Sequence, residues 1–328
     1  MNIFSANLLK TVCIVLAGSA LSISTVMGQT YPNKPITMIA GFPPGGSADL
    51  LARMVSQKLS LALNQSIVVE NRTGAGGTIA ASVVAKANPD GYTLFLGSAA
   101  TQSIAPAVYK NLSYQSPQAF QPITMVAQIP VALVVNPGIQ ANTVQELLTL
   151  AKNQKDALTF ASSGTGAIPH LAGELFQQST GIKLTHIPYK GAPLAMTDLI
   201  SGRVNMMFDN LPTVLPHIRG GKLRALAIAG SKQTRALPNV PTLAELGIRG
   251  AEVTSWFGVL APNGLPMPIA KRLNDEIVKI LSTNEVKAQL FEMGAEPFVL
   301  PSDEFVKFLD GDIKRWTKLV KEASIQVD

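Results

Sequence analysis

The feature that most constrains the fold is a repeated alternation of short apolar runs with longer amphipathic stretches, joined by loops rich in glycine and serine. Three apolar runs of strand length lie between residues 35 and 98. In residues 47–63, which separate the first run from the second, apolar residues recur at the spacing of one helix face: Leu50, Leu51, Met54, Val55 and Leu59. Strands that alternate with helices in this way are typical of a parallel α/β unit.

The same alternation recurs in residues 130–210, so the sequence predicts two α/β units in one chain. Two extended segments, near 126–131 and 225–230, connect the units. We therefore predict two lobes joined by a hinge of two crossings, with a ligand cleft at the carboxyl ends of the strands. Lobe 1 is assigned to residues 29–128 and 229–328, and lobe 2 to residues 129–228.

The segments after the second unit are predicted to return to the sheet of lobe 1 as strands. They are residues 224–231, 235–248 and 255–262. Residues 266–283 and 302–323 follow as amphipathic helices, with Pro268 and Ser302 as start signals. Because no glycine loop of the earlier kind precedes these helices, we assign them to packing.

The first 28 residues have the pattern of a secretory signal peptide. Lys10 precedes an uncharged apolar run, and Val26 and Gly28 follow it at the positions that a signal peptidase reads. The run is shorter than the roughly 20 residues that a membrane-spanning helix needs. We therefore expect export to the periplasm with cleavage near Gly28, rather than a membrane anchor. Cleavage would remove Cys13, the only cysteine, and with it any disulfide or thiolate metal site.

Composition and motifs argue against several classes of function. The formal net charge is +6, but the basic residues are scattered and lack interleaved aromatic residues, so we expect no nucleic-acid partner. The glycine runs match neither a nucleotide P-loop nor a dinucleotide fingerprint, and a G-x-S-x-G motif is missing. His170, His186 and His217 lack metal-ligand spacing, which favours structural or surface roles. We expect no cofactor, no metal and no catalytic residue.

The loop "GFPPGGSADL" indicates a site for an anion. Pro43 and Pro44 direct the chain out of a strand, while Gly45 and Gly46 can adopt positive φ and leave the backbone uncovered. Ser47 is predicted to cap the helix that follows. Free N–H groups at a helix N-terminus attract anions. The alternative is a tight turn that needs glycine only for its geometry.

Three further loops, at the ends of other strands, have the same combination of small residues and uncovered backbone N–H groups. Their small hydroxyl residues add hydrogen-bond donors without filling space. Because all four loops lie at strand exits, we expect them to converge on one ligand. The candidate ligand-binding residues of the four loops are Phe42, Pro44, Gly45, Gly46, Ser47, Gly74, Ala75, Gly76, Ser98, Thr101, Ser162, Ser163, Gly164, Thr165 and Gly166.

Three more candidates accompany these loops. His170 lies just inside the helix after the loop 162–166, and Tyr189 offers an apolar wall, although aromatic residues at strand ends are more often core. Asp209 ends a strand and is predicted to accept a hydrogen bond from a ligand hydroxyl, an amine or a bound water. A turn former, or a cap of the segment that follows, is the alternative reading of Asp209. An unpaired carboxylate there would oppose a second anionic group nearby.

These segments resemble the substrate-binding proteins of tripartite tricarboxylate transporters, also called the Bug family. The resemblance covers the mature chain and includes "YPNKPITMIAGFPPGGSADLLAR", "SSGTGAIPHLAGELF", "HIPYKGAP" and "GKLRALAIAGSKQTRALPNVPTLAELG" in family order. It implies a periplasmic Venus-flytrap receptor, type II-like, that hands a carboxylate to integral membrane transporter subunits. It also implies that loops 42–47 and 162–166 grip the ligand, partly through ordered waters, and that Asp209 stands where some members contact an amino group.

The favoured function is non-enzymatic capture of a small organic carboxylate by a monomer, whether a dicarboxylate, a tricarboxylate or an aromatic acid. Binding by neutral amides predicts an affinity of about 1 μM or somewhat better. Two alternatives stay open. One is an exported hydrolase or isomerase on the same scaffold, which would need a base and a nucleophile in the cleft. The other is a ligand-loaded signalling receptor whose partner is a sensor kinase.

Overall fold

The computed structural model describes residues 31–322 and residue 325, so the predicted signal peptide lies outside the described residues. The chain divides into two compact units, Met1–Asn33 and Lys34–Asp328. Every helix and strand named below belongs to the second unit. Within the described part of the chain, no helix combines the length and the apolar character that crossing a bilayer requires.

Ten strands form one mixed sheet in the part of the chain that the structure describes. They are β1 (Ile36–Ala40), β2 (Ile67–Asn71), β3 (Thr93–Ser98), β4 (Phe120–Val135), β5 (Leu158–Ser162), β6 (Leu184–Pro188), β7 (Met206–Asn210), β8 (Arg224–Ile228), β9 (Thr254–Pro262) and β10 (Glu296–Pro297). Their order is β2-β1-β3-β9-β4-β7-β5-β6, with β8 and β10 also paired to β4. β1 is parallel to β2 and β3, and β5 is parallel to β6 and β7, as the two predicted α/β units require.

The helices cover the faces of this sheet. They are α1 (Ser47–Leu63), α2 (Thr78–Ala85), α3 (Ala105–Val108), α4 (Val144–Asn153), α5 (Ile168–Thr180), α6 (Ala192–Ile200), α7 (Leu211–Arg219), α8 (Met267–Ser282), α9 (Asn284–Glu292) and α10 (Ser302–Glu322). α1 has the predicted bounds and buries the predicted face except for Leu50, which is half-buried. α10 buries Phe305, Leu309 and Trp316 at helical spacing, so its assignment to packing is consistent with the structure.

Strand β4 connects the two halves of the two-lobed fold. Its residues 120–130 pair with β9, and its residues 131–135 pair with β7 and β8. The change of partner falls at Pro130 and Val131, within the first predicted crossing. The assigned lobe limits themselves stay a prediction.

The prediction that residues 224–231 return to the sheet of lobe 1 is wrong. β8 pairs with the last residues of β4, at the same end of the sheet as β7. The Arg224 guanidinium holds the strand there, because it donates hydrogen bonds to the carbonyl oxygens of Ile139 and Ala141. A contact with a loop some 80 residues earlier in the chain leaves no local signal in the sequence.

The prediction of a strand over 235–248 is also wrong. This segment makes one isolated bridge, between Ile228 and Thr242, and otherwise consists of turns. Pro238 and Pro241 lack the N–H groups that a strand ladder needs. Residues 255–262, in contrast, lie within β9 between β3 and β4 as predicted.

Candidate functional site

Loops at the carboxyl ends of β1, β3, β5 and β7 meet around one cavity, here called the inner cavity. Its volume is about 30 Å³, which is small for a ligand site in the form described. The residues that line it are Phe42, Pro43, Gly46, Ser47, Ala48, Ser98, Ala100, Ser163, Ala167, Ile168, Pro169, Ala192, Asp209, Asn210, Thr213, Ser255 and Phe257. Both α/β units therefore contribute to one site.

A second cavity, here called the outer cavity, shares Phe42, Pro43 and Ser163 with the first. Its volume is about 630 Å³, and several of the residues around it are exposed. The complete lining is Gly41, Phe42, Pro43, Thr73, Gly74, Ala75, Gly76, Gly77, Tyr109, Ser163, Gly164, Thr165, Pro188, Tyr189, Lys190 and Gly191.

The first loop adopts a conformation that only partly matches the prediction. Gly45 has φ +84°, which favours glycine, but Gly46 has φ −81° and is extended, so positive φ at Gly46 is not observed. The predicted capping role of Ser47 is wrong, because Gly46 is the N-cap and Ser47 is the first helical residue. The Ser47 hydroxyl instead lies 2.8 Å from the hydroxyl of Thr213.

The loop is fixed from behind by Asp49 and Asn71. Asp49 Oδ2 accepts the Gly45 N–H at 3.0 Å, while Asn71 Nδ2 donates to the Phe42 carbonyl at 2.9 Å. Burial acts to raise the pKa of Asp49, but hydrogen bonds from Arg53, Gly45 and Asn71 outweigh it and hold that pKa below its usual value. The first-turn N–H groups of α1 have no acceptor within the helix, and this end of the helix borders the inner cavity.

The loop 162–166 is held by two histidines. Ser162 Oγ lies 2.7 Å from His186 Nε2 and accepts the Gly164 N–H, and the Gly166 N–H donates to His170 Nδ1 at 3.2 Å. The two imidazole rings stack with their centroids 4.2 Å apart. These contacts lie behind the loop, so Ser162 and His170 line neither cavity.

Both imidazoles are neutral near pH 7. Burial lowers the pKa of His186 to about 4, and burial together with the neighbouring His186 lowers the pKa of His170 to about 4. A neutral His170 can accept the Gly166 N–H at Nδ1, as the geometry requires. Protonation would abolish this acceptor, so the neutral pair supports the loop.

Asp209 lies at the end of β7, where it borders the inner cavity with 2% of its surface exposed. Its Oδ1 accepts the N–H of Asn210 at 2.8 Å, but its Oδ2 is buried without a hydrogen-bond partner among the described residues. Burial raises the pKa of Asp209 to about 7, against the smaller effect of the Asn210 amide. The side chain does not cap α7, whose N-cap is Asn210.

Two tyrosines border the outer cavity. Tyr109 donates its hydroxyl to the Thr165 carbonyl at 3.2 Å and so connects the α/β unit of β3 with that of β5. Tyr189 donates to Asp198 Oδ2 at 2.8 Å, which leaves its ring as a wall of the cavity.

The structure places the predicted site residues in three groups. Those at the inner cavity are Phe42, Gly46, Ser47, Ser98, Ser163 and Asp209. Those at the outer cavity are Phe42, Gly74, Ala75, Gly76, Ser163, Gly164, Thr165 and Tyr189. Those at neither cavity are Pro44, Gly45, Thr101, Ser162, Gly166 and His170. Thr101, for example, exchanges hydrogen bonds with the backbone of Ser98 and so closes the turn after β3.

Sequence reasoning missed several residues of the inner cavity. Asn210 follows Asp209 directly and Thr213 lies four residues after it, so the strand-end rule that selected Asp209 could have found them. Ser255 and Phe257 lie at the start of β9, which is antiparallel to β3 and therefore begins where β3 ends. No pattern within residues 255–257 reveals this placement.

The inner cavity offers dipoles rather than positive side chains. The first turns of α1, α5, α6 and α7 border it, and Asp209 is the sole ionisable side chain among the described residues of its lining. Searched over the described residues, the structure contains no group of three or more His, Cys, Asp or Glu side chains that could hold a metal ion.

Comparison with known proteins gives a consistent result. Residues 51–325 match the family model described as "Tripartite tricarboxylate transporter family receptor". The chain is 37% identical over 321 residues to protein BugT of Bordetella pertussis, an alignment that covers 98% of each chain.

Three solved structures are similar to this one. The Rpa4515 protein of R. palustris with adipate has a TM-score of 0.88 at 35% identity, covering 90% of this chain and 99% of that one. The periplasmic binding protein BugD has a TM-score of 0.86 at 34% identity, covering 90% and 99%. MatC of Rhodopseudomonas palustris with bound malate has a TM-score of 0.82 at 31% identity, covering 88% and 100%.

Proposed function

The chain belongs to the tripartite tricarboxylate transporter receptor family of periplasmic solute-binding proteins, and we propose that it captures a small organic carboxylate in the inner cavity and delivers it to a tripartite transporter. This family consists of receptors and not of enzymes.

The observation that supports the proposal most directly is the convergence of four helix N-termini on the inner cavity. Each first turn has N–H groups that lack an acceptor within its helix, and the dipoles of the four helices add to a positive potential. Pro169, Pro193 and Pro212 follow the first residues of α5, α6 and α7, where a missing donor costs the helix little. We infer that the remaining amides replace part of the hydration shell of a carboxylate.

The two carboxylates found in similar structures suggest the size of the ligand. Adipate and malate are both dicarboxylates, of different length and different polarity. The inner cavity is lined largely by small and apolar side chains, with few groups that could discriminate among acids. We propose a mono- or dicarboxylate of up to about six carbons, the length of adipate, for which the cavity must widen.

The test is calorimetry on the mature chain, starting after Gly28, with adipate, malate, succinate and benzoate at about pH 6. We expect one site per chain and a dissociation constant of about 1 μM for the best acid. Adipamide is the matched control, because it has the length of adipate but no charge. Failure of all four acids to bind, or equal binding of adipamide, would contradict the proposal.

Delivery and export need separate tests. Deleting the gene should abolish uptake of the bound acid in the native host, and a copy with the signal segment should restore it. N-terminal sequencing of the protein from a periplasmic extract should begin close after Gly28. Unprocessed protein in the cell pellet would contradict the predicted export.

A further inference from the structure

Three buried polar atoms of residues that line the inner cavity lack hydrogen-bond partners among the described residues. They are Ser98 Oγ, Asp209 Oδ2 and Asn210 Oδ1. A buried polar atom without a partner costs free energy, so native proteins seldom keep one unless a ligand or a water satisfies it. Ser98 comes from the first α/β unit and the other two from the second. Both α/β units therefore contribute a residue that lines the cavity and has a buried, unpaired oxygen atom.

Among the residues that the structure describes, no positive side chain pairs with the Asp209 carboxyl. The strand β4, opposite β7, has no ionisable residue, nor does β5 on the other side. Among the packed helices, α5 has the neutral His170 and Glu174, α6 has Asp198, and α7 has His217 and Arg219 at its far end. On α1, Asp49 is paired with Arg53.

None of these groups contributes to the pKa of Asp209, which is raised by burial and lowered slightly by the Asn210 amide. A carboxylate ligand placed beside an ionised Asp209 would therefore meet an unscreened like charge. Two carboxyl groups in one buried site avoid this repulsion by sharing a single proton.

We propose that binding of a carboxylate in the inner cavity is coupled to a proton on Asp209, whose Oδ2–H then donates a hydrogen bond to a ligand oxygen. The proposal rests on the proposed function and adds the protonation state of the complex. Where Asp209 is ionised before binding, one proton is taken up from solvent. Where it is already protonated, the ligand binds without proton exchange.

The amides at the helix N-termini and the Asp209 carboxyl then have separate roles. The amides stabilise the negative charge of the ligand. The protonated Asp209 supplies one neutral hydrogen-bond donor, which favours ligands that have an acceptor oxygen next to Oδ2. A ligand with a hydroxyl or ammonium group at this position would donate to the ionised form of Asp209 instead. The two cases differ in proton count, which makes them distinguishable.

The experiment is calorimetry of the mature chain at about pH 6 and about pH 8.5, each in two buffers of different ionisation enthalpy. Adipate, succinate and benzoate are the probes, since their ionised forms have no hydrogen-bond donor, and malate is included for its hydroxyl. We expect uptake of close to one proton per ligand at about pH 8.5 and little at about pH 6, with the dissociation constant about 30-fold higher at the upper pH. The Asp209→Asn variant should bind with a dissociation constant that does not change with pH.

The outcomes separate the two proposals. Binding of adipate, succinate or benzoate without proton uptake at about pH 8.5 would overturn the coupling and leave the receptor function intact. Binding of malate alone would also overturn it, because the malate hydroxyl would then supply the hydrogen bond. No binding of any acid at either pH would overturn the proposed function and the coupling with it. The number of protons that the wild type takes up on binding tests the coupling even if Asp209→Asn does not fold.

Discussion

The hydroxyl oxygens of Ser47 and Thr213 lie 2.8 Å apart and buried, although 166 residues separate them in the chain. Ser47 begins α1 in the first α/β unit, and Thr213 lies in the first turn of α7 in the second. Both residues line the inner cavity. The pair therefore joins the two units at the wall of the site, and we expect it to break when the lobes separate.

Removing this pair should weaken ligand binding. Ser47→Ala and Thr213→Val each leave one buried hydroxyl without its partner in the closed form, which costs about 1 kcal/mol and raises the dissociation constant about fivefold. The double variant removes both polar groups, so it should bind no more weakly than either single variant. Calorimetry of the four proteins with the same acid measures this cycle. Strictly additive losses would show that the two hydroxyls do not interact.

A second contact between the units should be sensitive to one methyl group. Gly191 has φ +122°, and a Cβ at this position would lie 2.3 Å from Cγ of Pro43, whose ring cannot move aside easily. Gly191→Ala should therefore hinder the approach of the two loops and raise the dissociation constant by about tenfold or more, in addition to a backbone cost of about 1–2 kcal/mol.

Gly181 provides the matched control for this substitution. It has φ +71°, and no atom lies within 4 Å of the position that a Cβ would occupy. Gly181→Ala should lower the free energy of unfolding in urea by about 1 kcal/mol and leave the affinity unchanged. If both variants lose affinity equally, the loss comes from backbone strain rather than from the contact with Pro43.

The sequence predicted the local part of the site well. The helix at 47–63 and the loops at strand ends follow from patterns within about 20 residues. Three of the four predicted loops reach the inner cavity, whereas the loop with Gly74, Ala75 and Gly76 borders only the outer cavity. The glycine at position 45 was also predictable, because positive φ after a strand exit favours that residue.

The sequence predictions that were wrong concern residues whose partners are distant in the chain. The sequence around Ser47 predicts a helix cap, but in the structure the Ser47 hydroxyl is hydrogen-bonded to Thr213. Ser162 was predicted to bind the ligand, but its hydroxyl is hydrogen-bonded to His186. β8 joins the far end of the sheet because Arg224 reaches carbonyl groups of an earlier loop. Such partners lie more than 20 residues away, so a local pattern contains no trace of them.

The histidine pair predicts a loss of stability in acid. The pKa of each imidazole is lowered from 6.5 to about 4 in the folded chain, so the stability that the pair contributes is present above pH 6.5 and is lost as the pH falls toward 4. Between about pH 8 and about pH 5 the loss should amount to about 2 kcal/mol, allowing for the solvent that reaches His186.

The variant His170→Asn/His186→Gln isolates this contribution. Asn and Gln can keep an acceptor near the positions of Nδ1 and Nε2, but they do not titrate. Urea unfolding at the two pH values should show that the wild type, relative to this variant, becomes less stable in acid. An unchanged difference between the two proteins would mean that the imidazoles keep their ordinary pKa values in the folded chain.

Asp209 predicts the opposite pH dependence in the ligand-free protein. Burial raises its pKa from 3.8 to about 7, so the stability associated with the protonated carboxyl is fully present below pH 3.8 and is lost as the pH rises through 7. Asp209→Asn keeps the size of the side chain without a charge. Between about pH 5 and about pH 8, this variant should gain about 3 kcal/mol of unfolding free energy relative to the wild type.

The same urea experiment measures this gain, and the titration of the histidines cancels in the comparison because both proteins contain them. Asp198→Asn serves as a control. The Asp198 carboxyl accepts hydrogen bonds from Tyr189 and Arg203, which hold its pKa below the usual value, so it stays ionised between these pH values. This control variant should show no relative gain in stability between these pH values. A constant difference between the wild type and Asp209→Asn would mean that Asp209 is ionised throughout, and the buried oxygen Oδ2 would then need a partner that is a water or a cation.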